Sequence, residues 1–364
     1  MSTISLCMIV KNEEEVLANC LSSVKDICDE IIIVDTGSTD KTKEIAEQFT
    51  EHILDFEWID DFSAARNFSF SQATKDFILW LDADDIFLPE DQEKLKKLKD
   101  TLDESVDAVS MRYVIARDAY DNPSIHFRRN RLVKRSKNFK WIGPVHEYLE
   151  VGGNILSSDI SVEHKKDMKK ASEMNSKRNL RIYEKRIKNG DNFSPRDLFY
   201  YANELRDHGQ YQKAIIYYNE FLSGKKGWIE DNISACTYSA DCHKKSGEKD
   251  EEVDALLKTL RYDAPRPEPC CRIGDHFKEN KAFQTAIFWY NLATILKKDT
   301  GGFQNESYST WYPHLQLCVC HWELGNVKRS VEHNNIAKQY QPNNIQVLFN
   351  DEFFNHIIKN KEEG

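Results

Sequence analysis

The chain has 364 residues, which suits two domains, or three small ones, rather than a single core. With 40% of them hydrophobic and 30% charged, it can bury a core and stay soluble. A formal net charge of -10 argues against a protein built to coat nucleic acid. Nine cysteines, scattered from Cys7 to Cys320 with no Cys-x-x-Cys pair, exclude a zinc site of ordinary spacing and point to reduced, buried thiols.

No run approaches the roughly 18 apolar residues of a membrane span. The opening MSTISLCMIVKNEEE has too short an apolar core for a signal peptide, so the cytosol is the expected address.

In chain order, Ile4–Val10 reads as a short strand, and KNEEEVLANCLSSVKDI over 11–27 as a helix. Glu30–Asp35 (EIIIVD) is a β-branched run that stops at the turn TGSTDKT, after which EIAEQF reads as helix. Residues 50–56 read as a weaker strand and 62–74 as a helix. A strand over 76–82 ends abruptly in Ala-Asp-Asp, a charged amphipathic helix spans 88–102, and another strand spans 107–115. This alternation predicts an α/β domain with a mostly parallel sheet covered by helices. Ligands on such sheets sit at the carboxyl ends of the strands, where Asp35, Asp82, Asp84 and Asp85 fall. The basic stretch Arg128, Arg129, Arg131, Lys134, Arg135, Lys137 and Lys140 reads first as a solvated face, with an anionic ligand as the sharper alternative.

After about residue 165 the strand signals vanish. Residues 167–194 read as a charged connecting helix between an α/β domain over 1–166 and an all-helical domain over 195–364, with turns at Gly209, Gly247, Asn280 and Gly325. Small and aromatic residues recur in register: Ala202, Tyr211, Ala214 and Tyr218 in one unit, Gly274, Phe283, Ala286, Tyr290 and Ala293 in another. Ala240 with Gly247, and Cys318, Gly325, Ala337 and Pro342, mark two more. The pattern resembles degenerate tetratricopeptide repeats, with an unrelated helical bundle as the alternative.

The chemistry concentrates in three stretches. In LDADD, two carboxylates one residue apart at a strand end can share a divalent cation. Hard oxygen donors suit Mg2+ or Mn2+, and such an ion bridges the oxygens of a diphosphate. An acidic turn capping the next helix explains the same residues. In IIIVDTGSTDKT, Asp35 can accept a hydrogen bond from a base N–H while Gly37 and Ser38 turn the chain; a βα loop capped by Ser38 or Thr39 is the plainer reading. In FSAARNFSF, Arg66 and Asn67 interrupt an apolar helix, and Arg66 is either a phosphate clamp or a surface arginine.

In this order, CMIVKNEEEVLANCLSS, VDTGSTDKT, ARNFSF and WLDADD resemble the family 2 glycosyltransferases of the GT-A fold, over roughly residues 3–165. The resemblance implies a nucleotide-sugar donor, inversion at the anomeric carbon and a divalent metal. It implies Asp35 at a uracil-type base, with Val10, Asn12, Glu13, Gly37 and Ser38 around the nucleoside. Asp82, with Ala83 beside it, would meet the ribose or sugar, Asp84 the metal, and Arg66 with Asn67 the donor. Similar enzymes follow the sheet with a basic carboxylate at a helix start and, later, a metal-binding histidine. The matching stretches here are WIGPVHEYLE and ISVEHKK. Glu147 is the base candidate, His146 the second choice, and His164 resembles the metal histidine. His-Glu stands where a Glu-Asp pair is common, so the base assignment stays open. Trp141 either stacks on a sugar or packs in the core.

A family 2 domain followed by helical repeats is similar to the bacterial glycocin enzymes, which glycosylate cysteine or serine of a bacteriocin precursor. The resemblance implies a UDP-sugar donor and a peptide or protein acceptor. A thiol acceptor needs less help from a base than a hydroxyl does. A transferase extending a saccharide such as lipopolysaccharide core or capsule is the alternative, followed by a non-enzymatic repeat scaffold. Exposed repeat faces also allow a homodimer.

Overall fold

The computed structural model describes residues 2–117, 123–165, 168–296 and 305–362. The chain divides into two compact units, Met1–Asp191 and Asn192–Gly364. The expected boundary at 166/167 lies outside the described residues.

The first unit runs β1 (Ile4–Val10), α1 (Leu17–Val24), β2 (Glu30–Asp35), α2 (Thr42–Ala46), β3 (Ile53–Asp55), α3 (Phe62–Gln72), β4 (Phe77–Trp80), β5 (Asp85–Ile86) and α4 (Pro89–Thr101). It continues with β6 (Ala108–Arg117), β7 (Pro123–Lys134), β8 (Lys140–Ile142), β9 (Tyr148–Glu150), β10 (Ile155–His164) and α5 (Met168–Lys188). Eight strands form one sheet in the order β3-β2-β1-β4-β7-β6-β10-β5, and β8 pairs with β9 in a separate hairpin. The β3, β2, β1 and β4 neighbours are parallel, as are β6 and β10. Strand β7 runs antiparallel between β4 and β6, and the two-residue β5 is antiparallel to β10.

Alternation along the strands explains why both faces of the sheet are covered. Leu6, Met8, Ile31, Ile33 and Leu79 join α1 residues Leu17, Cys20 and Leu21 and α4 residue Leu95 in one core cluster. Their neighbours Cys7, Ile32, Val34 and Ile78 face the other way, where Phe68 and Phe70 of α3 pack. Helix α1 begins at Leu17 rather than at residue 11, because Asn12 takes a left-handed φ of 55°. The backbone amides of Asn12, Glu13 and Glu14 are spent on Ser38, Thr42 and Asp40 of the neighbouring loop.

The second unit is a series of helical hairpins: α6 (Pro195–Asp207) with α7 (Tyr211–Ser223), α8 (Ile229–Ser246) with α9 (Lys249–Lys258), α10 (Pro267–Glu279) with α11 (Phe283–Ile295), and α12 (Trp311–Glu323) with α13 (Val327–Tyr340). A last helix, α14 (Ile345–Glu362), packs on α13. Each hairpin also contacts the next, which is the layout of a tetratricopeptide-like array. Ala202, Ala214, Ala240, Ala286, Ala293 and Ala337 are fully buried between helices. The turns at Gly209, Gly247 and Gly325 have φ near +75°, which glycine adopts without strain. In the third hairpin the left-handed position is Lys281, not the expected Asn280. Among the described residues, no helix is long and apolar enough to cross a membrane.

Candidate active site

The carboxyl ends of β1, β2, β4 and β10 lie along one edge of the sheet, since these strands share a direction. At β1 and β2, two loops interlock. Asn12 donates its backbone N–H to Ser38 Oγ at 3.0 Å and accepts the Thr39 N–H on Oδ1 at 2.8 Å. Asp35 is buried and accepts the N–H groups of Gly37 and Ser38, so its carboxylate shapes its own turn. Gly37 sits at φ 100°, a conformation that favours glycine. Val10 and Ala83 are core residues, and Glu13 anchors the loop through its backbone.

After β4 the chain turns back on itself. Asp85 accepts the Asp82 N–H on Oδ2 at 3.0 Å, which ends the strand and aims three carboxylates in different directions. Asp82 Oδ1 meets Arg66 Nη2 at 2.7 Å. Burial opposes ionisation of Asp82, yet Arg66, Arg131 and Arg129 hold its carboxyl well below the usual range. Asp84 and Asp85 face His164, which is the register partner of Asp85 across the β5–β10 pair. His164 Nδ1 lies 3.4 Å from Asp84 Oδ1, 3.8 Å from Asp85 Oδ1 and 3.0 Å from the Tyr113 hydroxyl. The neighbouring carboxylates, Asp84 first and then Asp85, push His164 up to about 9. One donor atom from each of Asp84, Asp85 and His164 falls within 4.8 Å of the others. Two hard carboxylates and an imidazole suit Mn2+ or Mg2+. Asp85 Oδ1 is buried and makes no hydrogen bond among the described residues, so the donor set fits a cation. A cleft of about 530 Å³ reaches Asp84 from the α1 and α4 side, lined in part by Asn19, Ser22, Gln92 and Lys165.

Glu147 does not begin a helix. It lies in the β8–β9 turn, where Gly143 at φ 95° and His146 at φ 50° reverse the chain within five residues. The turn docks on α3: the Phe62 N–H donates to Pro144 O, and Asn67 exchanges two hydrogen bonds with the Trp141 backbone. This brings Glu147 Oε1 to 2.7 Å from Arg66 Nε. The Asn67 amide is thus committed to the hairpin. Trp141 is buried, edge-on to Trp80 and Phe70, with the Arg66 guanidinium 4.7 Å from its ring centre. His146 stacks on Tyr183 of α5, 6.5 Å between centres.

The basic stretch is not a solvated face throughout. Arg131 is fully buried with its guanidinium 3.9 Å from the Trp80 ring centre, and Arg129 lies over Trp80, Tyr113 and Phe127. Tyr113 is an addition to the residues expected from sequence, while Asp85 and Arg131 were named there only within an acidic and a basic run. A register shift in β7 between Asn130 and Leu132 breaks the side-chain alternation at Arg131, so spacing alone carried no signal for it. The nine cysteines are free, and burial pushes Cys7 and Cys28 up to about 12 and Cys236, Cys242 and Cys320 up to about 11, as befits inert thiols.

Residues 5–161 match the family model described as Glycosyl transferase family 2. The TPR repeat-containing protein of Synechococcus elongatus is 38% identical over 151 residues, covering 41% of this chain and 36% of that protein. The SPbeta prophage-derived glycosyltransferase SunS of Bacillus subtilis is 29% identical over 233 residues, covering 62% of this chain and 54% of that protein. The matches therefore span between about a third and about a half of these curated relatives. A tetratricopeptide repeat protein from Parabacteroides merdae aligns with a TM-score of 0.40 at 13% identity, covering 51% of this chain and 68% of that one. Residues 5–161 of this chain, which carry the interlocked loops and the acidic turn, form a family 2 glycosyltransferase domain.

Proposed function

We propose that the chain is an inverting, metal-dependent glycosyltransferase that moves a sugar from a UDP-sugar to a cysteine or serine side chain of a peptide. The observation that carries this reading is the convergence of Asp84, Asp85 and His164 at the strand ends of a family 2 domain. A divalent cation held there supplies positive charge to the leaving diphosphate. Asp84 and His164 bind it, while the interlocked loops at Asn12, Asp35, Gly37 and Ser38 receive the nucleoside. Arg66 orients the site by holding Asp82 with one nitrogen and Glu147 with another. Glu147 keeps Oε2 for the acceptor proton, the role an inverting displacement requires of a base.

The peptide acceptor draws its support from the second unit. The likeness to SunS runs over 233 residues, longer than the 191 of the first unit, so it extends into the helical hairpins. Such arrays offer extended surfaces to peptides.

The test is a thermal-shift panel of nucleoside diphosphates with and without Mn2+, followed by incubation with a cysteine-containing peptide and with a saccharide. Metal-dependent stabilisation by UDP and a hexose-sized mass gain on the peptide are expected. No stabilisation by any nucleotide would overturn the donor site, and transfer to the saccharide alone would overturn the peptide acceptor.

A further inference from the structure

We infer that Arg131 is a positioning residue for the metal site, and that it fixes Asp85 as a third protein ligand beside Asp84 and His164. The inference rests on the metal-dependent reading above and assigns work to two residues outside it.

Arg131 and Asp85 are both fully buried, and Arg131 Nη2 lies 2.8 Å from Asp85 Oδ2. Neither Nη2 nor Nε of Arg131 makes a directional hydrogen bond among the described residues, so the contact is ionic. The guanidinium is held by packing, 3.9 Å from the Trp80 ring centre and 4.6 Å from that of Tyr113, and by Nη1, which donates to the Trp80 carbonyl at 3.4 Å. A buried ion pair is poor evidence for stability, because desolvating two charges offsets most of their attraction. The pair uses one oxygen only: Oδ2 takes the Asp82 N–H and the Arg131 charge, while Oδ1 makes no hydrogen bond among the described residues and has the His164 ring 3.8 Å away. A buried carboxylate oxygen without a partner is costly unless something completes it.

The direction of that oxygen says what completes it. Asp85 Oδ1 looks toward His164 Nδ1, 3.8 Å away, and Asp84 and His164 are the other two donors within reach. Two chain features enforce the aim. The β5–β10 register sets Asp85 opposite His164, and β7, running antiparallel beside β4, delivers Arg131 behind it. Arg131 pins the far oxygen of Asp85 so that the near one presents to the cation. Its charge also offsets the repulsion among three neighbouring carboxylates when the site is empty of metal. Outer-shell partners of this kind set ligand direction and affinity.

The experiment is a Mn2+ titration of the full chain followed by electron paramagnetic resonance, with and without UDP, beside a circular-dichroism melt of each variant. Wild type is expected to bind one Mn2+. Asp85→Asn and Arg131→Met are expected to weaken binding by about 10–100-fold, and Arg131→Lys, which keeps the charge, to stay closer to wild type. If Asp84→Ala loses Mn2+ while Asp85→Asn and Arg131→Met bind like wild type, the inference is overturned and the metal site stands. If wild type binds no Mn2+ in either condition, the metal-dependent reading falls and the inference with it. Should Arg131→Met fail to fold, the near-isosteric Asp85→Asn decides: wild-type affinity there overturns the third ligand.

Discussion

Glu147 Oε1 accepts a hydrogen bond from Arg66 Nε at 2.7 Å, joining a hairpin turn to a helix 81 residues earlier. Through the same guanidinium, Glu147 is tied to Asp82, so the base candidate and the acidic turn share one cation. Removing that cation leaves two carboxylates facing each other in a largely buried setting. Arg66→Ala is expected to cost about 3–5 kcal/mol of stability, the usual result of breaking one side of a buried ionic cluster. Turnover should vanish with it, and a thermal melt beside a transfer assay checks both.

Glu147→Gln is a gentler change, because the amide oxygen still accepts from Arg66. Nucleotide-dependent thermal shift should stay near wild type while transfer to a hydroxyl acceptor slows about 10²–10⁴-fold. A thiol acceptor should suffer less. Loss of nucleotide binding in this variant would place Glu147 at the donor instead.

Asp84→Ala removes a proposed ligand that is half-buried in the turn and lies outside the hydrophobic core cluster. The melt without metal should match wild type, whereas the Mn2+-dependent shift with UDP should disappear. Chelation of wild type with EDTA should give the same result. Activity retained by Asp84→Ala in Mn2+ would refute the metal site.

The second unit has its own acid sensitivity. His314, His333 and His321 stack between α12 and α13 with ring centres 5.2 and 5.4 Å apart. Burial lowers all three, and His333 falls to about 4 with its two neighbours and Arg329 adding to the effect; only Glu332 pulls the other way, on His321. The unfolded chain takes up protons near pH 6.5, before the folded one does. Stability should therefore be level above about pH 6.5, fall as pH drops toward 4, and level again once the folded state is protonated. Denaturant melts across this window should show the slope, and His333→Gln should flatten it.

Gly274 on α10 faces the ring of Tyr290, where an added Cβ would lie 2.8 Å from the nearest carbon. Tyr290 is fully buried and donates its hydroxyl to Asp275, so it has no room to retreat. Gly274→Ala is expected to destabilise the unit by about 1–3 kcal/mol despite the better helix propensity of alanine. A raised or unchanged melting midpoint would contradict this packing.

Much of the first unit was legible because its signals are local. The β-branched run Glu30–Asp35 and the apolar run Ile4–Val10 end where the strands end, and the acidic turn follows β4 as expected. What escaped depends on distant pairing. Strand β5 is two residues long and exists only because β10 comes to meet it. Arg131 sits in a basic run that looks solvated until β7 is laid beside β4. The β8–β9 turn reverses through Gly143 and His146, whereas the resemblance to similar enzymes implied a helix start for the stretch that carries Glu147. In the helical unit, small-residue spacing revealed the hairpins, since each packs on its sequence neighbour.

That contrast in pairing distance governs the order in which the two units assemble. A hairpin of helices closes over a few residues, while β1 must find β4 and β4 must find β7, with long chain segments between them. Loop-closure entropy opposes the second kind of contact before any pairing repays it. A refolding chain should recover its helical circular-dichroism signal first and its Mn2+-dependent nucleotide response last. The proposed metal site would then be the slowest part of the molecule to form, because His164 joins Asp85 only when β10 docks.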